Sequence, residues 1–245
     1  MQPRGRGRSL APTPFPDDDG SADPALAAAL ETAAADRAAV EAVVSVLAGS
    51  RVLVPVVAVA GETAMTADGL MVDTSSDMAV VTLTAPDGRR VMPVFSSLSQ
   101  LAAWNASARP VPVAARPAAL AAVDDGCELL VVDPAGAAVV VPRPAMWALA
   151  QGLPWTPSPR HPRVLEALRD AVAREPAVAD VAAQPGARTE LRVVLSVHPG
   201  LDRSALDALT DRVTRSLAAS QVVAELVDSV ELRVEPHVAR PIDRA

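Results

Sequence analysis

The chain has 245 residues, half of them hydrophobic, which is enough for one large domain or two small ones and excludes a wholly disordered chain. Its net charge is −7, and all 22 basic residues are arginine. Because an acidic body repels phosphate backbones, nucleic acid is a poor expected partner. The single cysteine, Cys127, cannot form an intramolecular disulfide, so nothing suggests an oxidising compartment.

No stretch has the pattern of a secretory signal or a membrane span. Residues 1–20 carry charges but no apolar core of the kind that a secretory signal needs. The longest apolar run, Val52–Ala60, is far shorter than the roughly 20 residues that cross a bilayer. We therefore expect a cytoplasmic protein.

A disordered tail followed by a helical region is predicted at the start of the chain. Residues 1–22 mix Gly, Pro, Arg and Asp without apolar periodicity, which is typical of disorder. Asp23 and Pro24 then supply an N-cap and a first-turn proline, and apolar residues follow at near-helical spacing until Gly49. The spacing leaves open whether this is one helix or two that break near Ala34–Asp36.

Three strands are predicted next. Val52–Ala60 is rich in β-branched residues, as in a strand buried on both faces. Its Pro55 removes a backbone donor and so predicts an edge or a neighbouring bulge. Residues 61–76 are predicted to be irregular. Met78–Thr84 and Arg89–Phe95 are then joined through Pro-Asp-Gly, the signal of a hairpin turn.

Short helices and strands complete the first half. Ser97 and Gln100 have capping-box spacing and predict a helix that ends near Trp104. The other predicted elements are a strand at Val111–Ala114, a helix at Arg116–Asp124, a hairpin of Glu128–Asp133 with Ala137–Val141, and a final helix at Pro144–Ala150.

A proline-rich linker, residues 152–162, separates two predicted domains. The N-terminal domain spans 23–151, the C-terminal domain spans 163–236, and a tail follows at 237–245. Hydrophobic periodicity in the C-terminal domain predicts the order αββαβ. Both domains fit an α+β fold with small mixed sheets better than a doubly wound parallel sheet.

Three segments carry a family resemblance: the strand RVLVPVV, the segment DGRRVMPVFSSLSQLAAW and the hairpin sequence ELLVVDPAG. They resemble the SseB family, named for enhanced serine sensitivity. The resemblance covers residues 25–150 as the SseB N-terminal domain, and residues 160–235 are similar, more loosely, to the C-terminal domain of many members. It implies a fold, and because the family has no established catalytic activity, it carries over no catalytic residue.

The sequence departs from the family pattern at two places. Members often have Phe-Thr-Ser where this chain has Phe95-Ser96-Ser97, and Asn-Pro where it has Asp133-Pro134. The sequence leaves open whether the change at Asp133 matters.

Residues capable of metal binding or nucleophilic chemistry are scattered. His161, His198 and His237 are far apart and have no partner at metal-ligand spacing, so we expect neither a metal nor a cofactor. Cys127 lies beside a buried strand, where a free cysteine acts as a small apolar side chain, and no base is placed to activate it.

Acidic and hydroxyl residues have simple structural interpretations. Asp124, Asp125 and Asp133 bracket one strand, and Asp is favoured at helix ends and turns; a carboxylate pair for acid–base chemistry is the alternative. Ser97 is better explained as a helix N-cap than as a nucleophile. The RGRGR sequence at the start of the chain is typical of a solvated tail.

The few aromatic residues are the main candidates for a functional surface. Phe95, Trp104 and Trp147 are expected to fill the N-terminal core, because bulky rings dominate burial. Trp155 lies in the linker, where it either pins the linker to a domain face or exposes an aromatic anchor. It is the one residue predicted to contact a partner.

We expect a non-catalytic protein that acts as an interaction or regulatory module through an unknown protein partner. The alternative is a small-molecule sensor or weak enzyme, with a pocket at the domain interface or beside the Phe95–Trp104 segment. A weaker option is RNA association through the arginine-containing tail. The sequence decides neither the pathway nor the oligomeric state.

Overall fold

A computed structural model describes residue 15 and residues 17–60, 63–65, 71–73 and 76–237. Most of the predicted tail at 1–22, including RGRGR, and all but the first residue of the predicted tail at 237–245 lie outside the described residues.

The N-terminal domain combines helices with short strands. Its elements, in chain order, are α1 (Pro24–Ala35), a 3₁₀ turn (Arg37–Ala39), α2 (Val40–Leu47), β1 (Arg51–Ala60), β2 (Thr63–Met65), β3 (Met71–Asp73), β4 (Ser76–Val80), β5 (Leu83–Thr84), β6 (Arg90–Val94), α3 (Leu98–Trp104), β7 (Arg109–Ala114), α4 (Ala115–Asp124), β8 (Leu129–Val132), β9 (Val139–Val141) and α5 (Arg143–Gln151).

The first helical region is two helices. The predicted cap is confirmed, because the Asp23 carboxylate accepts the N–H of Ala25 at 2.8 Å and of Leu26 at 3.1 Å. α1 ends before Asp36, whose backbone is extended, and the 3₁₀ turn separates it from α2. The break lies where the sequence allowed it, near Ala34–Asp36.

Strand β1 is the central strand of the three-stranded sheet β4-β1-β7 rather than an edge strand. It pairs antiparallel with β4 and β7, and the backbones of Leu53 and Phe95 exchange hydrogen bonds of 2.8 and 2.9 Å that join it to the sheet β5-β6-β8-β9. On the side of β1 away from β7, Leu53 pairs with Phe95, and from Val56 onward the strand pairs with β4. The missing donor of Pro55 falls at this change of partner, so the prediction of an edge or a bulge is wrong.

Prolines also occupy the outer edge of β7. Leu53 directs its backbone N–H and C=O toward Phe95, and so away from β7. In an antiparallel pair, the residues of β7 opposite Leu53 and Pro55 then direct their own backbone groups away from β1. Those residues are Pro112 and Pro110. The open edge therefore lacks two donors, which prevents another strand from adding there.

Two predicted stretches in the middle of this domain need correction. Met78–Thr84 is not one strand, because β4 pairs with β1 whereas β5 pairs with β6. Residues 61–76 contain the paired strands β2 and β3 rather than irregular chain alone. The hairpin turn is confirmed: Gly88 has a φ of 90° and donates its N–H to the carbonyl of Ala85 at 2.9 Å.

The main core lies between the helices and one face of the sheet. Its most buried large side chains, all 1% exposed or less, are Leu26, Leu47, Met92, Leu130 and Met146.

The aromatic residues divide between the interior and the surface. Phe95 is fully buried, and its ring centroid lies 5.3 Å from that of the half-buried Trp104. Trp147 is 46% exposed. The prediction that Trp147 fills the core is wrong, because α5 turns Met146 and Leu149 inward and leaves Trp147 on its outer face.

The C-terminal domain confirms the predicted α+β order and adds one helix. Its elements are α6 (Pro162–Val172), β10 (Val178–Pro185), β11 (Leu191–Val197), α7 (Arg203–Ala218), α8 (Gln221–Leu226) and β12 (Val230–Pro236). The sheet order is β10-β11-β12, antiparallel and then parallel. The sequence prediction missed α8, which Ser220 caps by accepting the N–H of Val223 at 3.4 Å.

Ionic contacts join the two domains. Arg89 donates from Nη1 to both carboxylate oxygens of Asp228, each at 2.9 Å, and the Asp228 side chain is only 7% exposed. Arg143 donates its N–H to the same carboxylate at 3.3 Å. Its guanidinium donates to the carbonyls of Ala224 at 2.7 Å and Val227 at 3.0 Å. The N-terminal domain therefore holds the end of α8.

Glu190 joins the linker to the same loop. Its carboxylate accepts the N–H of Ser158 at 3.2 Å and of Asp228 at 2.6 Å. Burial raises the pKa of Glu190, and these two backbone bonds oppose the rise. Arg160 in the linker also forms an ion pair with Glu41 of α2.

We expect Arg89→Ala to lower the free energy of unfolding by about 2 kcal/mol or more, because it leaves the Asp228 carboxylate buried without its cation. Urea denaturation measures the change. Arg212→Ala is the matched control: it removes another bidentate pair, with Glu175, from an arginine that is 48% exposed. That loss should be much smaller than the loss in Arg89→Ala, because solvent screens the exposed pair. Equal losses would contradict the interpretation.

Candidate functional site

A cavity of about 540 Å³ lies beside the Phe95–Trp104 segment. We call it the acidic cavity. Its wall is formed by residues 19–22, by α1, by the start of α3 and by the turn after β8. The polar side chains that line it include Asp19, Glu31, Ser96, Ser97, Gln100 and Asp133.

Asp133 lies buried at this cavity, only 5% exposed. Its two carboxylate oxygens accept the N–H of Ser96 at 2.8 Å and the hydroxyl of Ser96 at 2.6 Å. Burial raises the pKa of Asp133, and the two bonds from Ser96 oppose the rise. Its φ of 51° is in the left-handed region that Asp tolerates better than most residues.

The order of the strands explains why Ser96 and Asp133 meet. β6 and β8 are neighbours and run parallel, with Val94 opposite Val132. The carboxyl ends of parallel strands lie at the same edge of a sheet, so the residues that follow β6 and β8 come together there. Ser97, one residue further on, accepts the N–H of Gln100 at 3.3 Å and caps α3, as predicted.

Residues 17–22 pack against the N-terminal domain, and residues 19–22 form one wall of the acidic cavity, which their composition did not predict. The carbonyl of Gly20 accepts the N–H of Leu98 at 2.8 Å. The Arg51 guanidinium forms an ion pair with Asp18 and donates to the carbonyl of Ser21 at 2.7 Å. This segment is therefore packed against the domain.

A second cavity, of about 380 Å³, lies where α5, the linker and α8 meet. We call it the interdomain groove. Large apolar side chains dominate its lining, and Trp147 and Leu153 are 46% and 58% exposed. The lining includes Trp147, Leu153, Pro154, Trp155, His161 and Leu226.

Trp155 packs against the N-terminal core and is half-buried. It therefore pins the linker to a domain face, while its role as a partner contact stays a prediction. Its Nε1 and the Nδ1 of His161 are buried without a hydrogen-bond partner in the described part of the chain. Burial, together with the charge of Arg163, lowers the pKa of His161.

A family comparison covers most of the acidic cavity and most of α5. A model of the family described as SseB protein N-terminal domain matches residues 26–148, about half of the chain. The chain belongs to the SseB family. No curated protein and no solved structure matches it. The resemblance of residues 160–235 to the C-terminal domain of SseB proteins stays a prediction.

The cysteine and the other aspartates of this SseB protein lie where they do not form a reactive site. Cys127 is 5% exposed, and burial raises the pKa of its thiol, which disfavours the nucleophilic thiolate. Asp124 and Asp125 are exposed at the end of α4, whereas Asp133 is buried at the opposite end of β8, so they do not form a carboxylate pair.

The structure brings two of the three histidines together. The rings of His198 and His237 have centroids 5.7 Å apart in an edge-to-face arrangement, although they are far apart in sequence. The described residues contain no group of three or more His, Cys, Asp or Glu side chains that could hold a metal ion. No helix within the described ranges is long and apolar enough to cross a membrane.

We expect Asp133→Asn to preserve the fold and to reduce the dependence of stability on pH. Asn accepts the Ser96 N–H and tolerates a positive φ. The pKa of Asp133 is higher in the folded protein than in the unfolded chain. Its contribution to the free energy of unfolding is therefore fully present at a pH below the unfolded pKa and is lost as pH rises through the folded pKa. The variant should gain in free energy of unfolding, relative to the unchanged protein, as pH rises above the ordinary pKa of Asp, about 4.

Urea denaturation at several pH values measures this difference. The matched control is Asp124→Asn, at an exposed position, which should show no such trend. If the free energy of unfolding of Asp133→Asn differed from that of the unchanged protein by the same amount at every pH, the buried carboxylate would not make stability depend on pH.

We expect the two tryptophans at the groove to differ in structural importance. Trp155→Ala should lower the free energy of unfolding by about 2 kcal/mol, because it removes packing against the N-terminal core. Trp147→Ala removes a more exposed ring and should change it by less than about 1 kcal/mol. Thermal or urea unfolding of both variants tests this, and similar small losses would show that Trp155 supports no packing.

Proposed function

We propose that this SseB-family protein is a non-catalytic interaction module that binds a segment of a partner protein in the interdomain groove. The exposure of Trp147 and Leu153 beside that groove carries the proposal. Large apolar side chains that stay exposed around a cavity are typical of protein contact sites, and tryptophan is enriched among the residues that dominate binding.

The position of the groove supports a regulatory form of this interaction. α5, the linker and α8 each supply part of its lining. Arg143 lines the groove and also bonds to the carbonyls of Ala224 and Val227 at the end of α8. A partner in the groove would therefore respond to any change in how the two domains contact each other.

Charges near the groove favour a particular kind of segment. Arg160 and Arg163 lie on either side of the lining residue His161 in the sequence, and their side chains are 63% and 57% exposed. Arg160 pairs with Glu41, and the lining itself includes Glu225. Arg163 lies 3.7 Å from Glu225, a long ion pair that leaves it available to a second anion. The chemistry fits a short segment in which a large apolar side chain is flanked by acidic residues.

A small-molecule sensor is the second candidate function, and the acidic cavity favours it. Both cavities have volumes within the range of ligand sites, about 300–1,000 Å³. In the acidic cavity Ser97 caps a helix and Ser96 binds Asp133, roles that favour binding over a reaction.

Selection from a random peptide library displayed against the purified full-length protein tests the groove. We expect the selected peptides to carry an aromatic or large aliphatic residue beside Asp or Glu. Trp147→Ala should weaken their binding at least tenfold, because it removes a side chain that they contact. Binding is measured by isothermal titration calorimetry.

The matched control is Leu120→Ala, which truncates a side chain that is 51% exposed on α4, outside the groove lining. It should leave peptide affinity unchanged. Peptides that bind the Trp147 variant as tightly as the unchanged protein would overturn the proposal, and so would a selection that enriches no common sequence.

A further inference from the structure

Strand β12 forms an open edge of the C-terminal sheet. The sheet order β10-β11-β12 places it at the end, and Val230 at its start is 39% exposed. The opposite edge is protected, because the register of β10 shifts between Val178 and Asp180 and the strand ends in Pro185. β12 has seven residues, and its only proline is the last one, Pro236. Its backbone is therefore a template on which another strand can add.

The backbone groups available on this edge belong to alternate residues. The carbonyl of Ser229 accepts the N–H of Leu191 at 3.0 Å, and the N–H of His237 donates to the carbonyl of Val197 at 2.8 Å, so both ends of β12 bond to β11. Every second residue between these ends does likewise, because the direction of the backbone groups alternates along a strand. The N–H and C=O groups of residues 230, 232 and 234 therefore point toward the open edge.

The side chains of β12 divide between the two faces of the sheet. Leu232 and Val234 pack against the C-terminal core, whereas Glu231, Arg233 and Glu235 lie on the other face. The charges on that face alternate in sign, and the side chains of Arg233 and Glu235 are 59% and 43% exposed. Arg233 Nε lies 2.7 Å from Glu235, and an exposed pair of this kind is weak enough to exchange partners.

We infer that the open edge of β12 is a homodimer interface, on which β12 of a second copy adds antiparallel about a two-fold axis at Leu232. Residues 230, 232 and 234 of one copy then face residues 234, 232 and 230 of the other, so that each facing pair exchanges both of its backbone hydrogen bonds. Val230 lies opposite Val234 of the second copy, and Glu231 lies opposite Arg233 of the second copy. The pairing covers apolar side chains on one face and joins opposite charges on the other.

The backbone and the charges together select this register. A shift of the second copy by one residue would set outward-pointing backbone groups opposite groups that point toward β11. A shift by two residues would set Glu231 opposite Glu231 of the second copy, or Arg233 opposite Arg233 of the second copy, and like charges directly opposite each other are destabilising. The two-fold pairing uses both copies of β12 and leaves β10 at each end, so assembly stops at the dimer.

Sedimentation equilibrium of the full-length protein tests the inference. We expect a dimer in reversible equilibrium with the monomer. Arg233→Glu should raise the dimer dissociation constant by about tenfold or more, because it sets like charges opposite each other at both symmetry-related positions. Arg169→Glu is the matched control: it makes the same change in net charge at an exposed position on α6 and should leave the dissociation constant unchanged.

A mixture of two variants tests the register itself. Glu231→Arg alone should also weaken self-association. When it is mixed with Arg233→Glu, every facing charged pair again joins opposite signs, so the two chains should form a heterodimer more tightly than either associates with itself. Native mass spectrometry of chains that carry tags of different mass measures the heterodimer.

Melting curves check that the variants are folded, because Glu231 also accepts a hydrogen bond from Arg192 of its own chain at 2.5 Å. A third variant, Val230→Pro, leaves the charges unchanged. It removes an outward-pointing N–H at the first residue of β12, where proline is tolerated, and should weaken the dimer even if a charge variant does not fold.

Several results would overturn the inference. They are a protein that stays monomeric at every concentration, assembly beyond the dimer, a dimer that Arg233→Glu weakens no more than Arg169→Glu, and a mixture that forms no heterodimer from folded chains. The interface is separate from the interdomain groove, because β12 supplies none of the groove lining. Trp147→Ala should therefore dimerise as the unchanged protein does, and a failure of peptide docking would leave this inference intact.

Discussion

The parallel pairing of β6 with β8 is the constraint on which the N-terminal domain depends. It places Met92 beside Leu130 and Val94 beside Val132, at the centre of the main core. The same pairing brings the residues that follow the two strands to one edge of the sheet. The contact between Ser96 and Asp133 and the acidic cavity both follow from that arrangement.

The domain interface depends on charge in a different way. Arg89 and Arg143 reach from the N-terminal domain to Asp228 and to the end of α8. The buried carboxylate of Asp228 accepts hydrogen bonds from both arginines. Glu190 accepts from the backbone of Ser158 in the linker and of Asp228, so it joins the linker to the same contacts. The interdomain groove is bounded by these same elements, so its shape is tied to these ionic contacts.

The elements that could be predicted from sequence are those with strong local signals. Asp23 and Ser97 cap helices through their own neighbours, and Gly88 lies in a turn that four consecutive residues define. Pro55 and Trp147 were misassigned for one reason. A strand has an edge, and a helix an outer face, only in relation to elements that are distant in the chain.

The candidate sites follow the same division. Sequence alone determined the α+β class, the family resemblance and the composition that makes aromatic residues rare. Only the tertiary structure decided that Asp133 meets Ser96 across 37 positions, that Trp155 is packed while Trp147 is exposed, and that Glu31 shares a cavity with Asp133. The physical reason is that burial and charge pairing arise between segments, whereas caps, turns and periodicity arise within them.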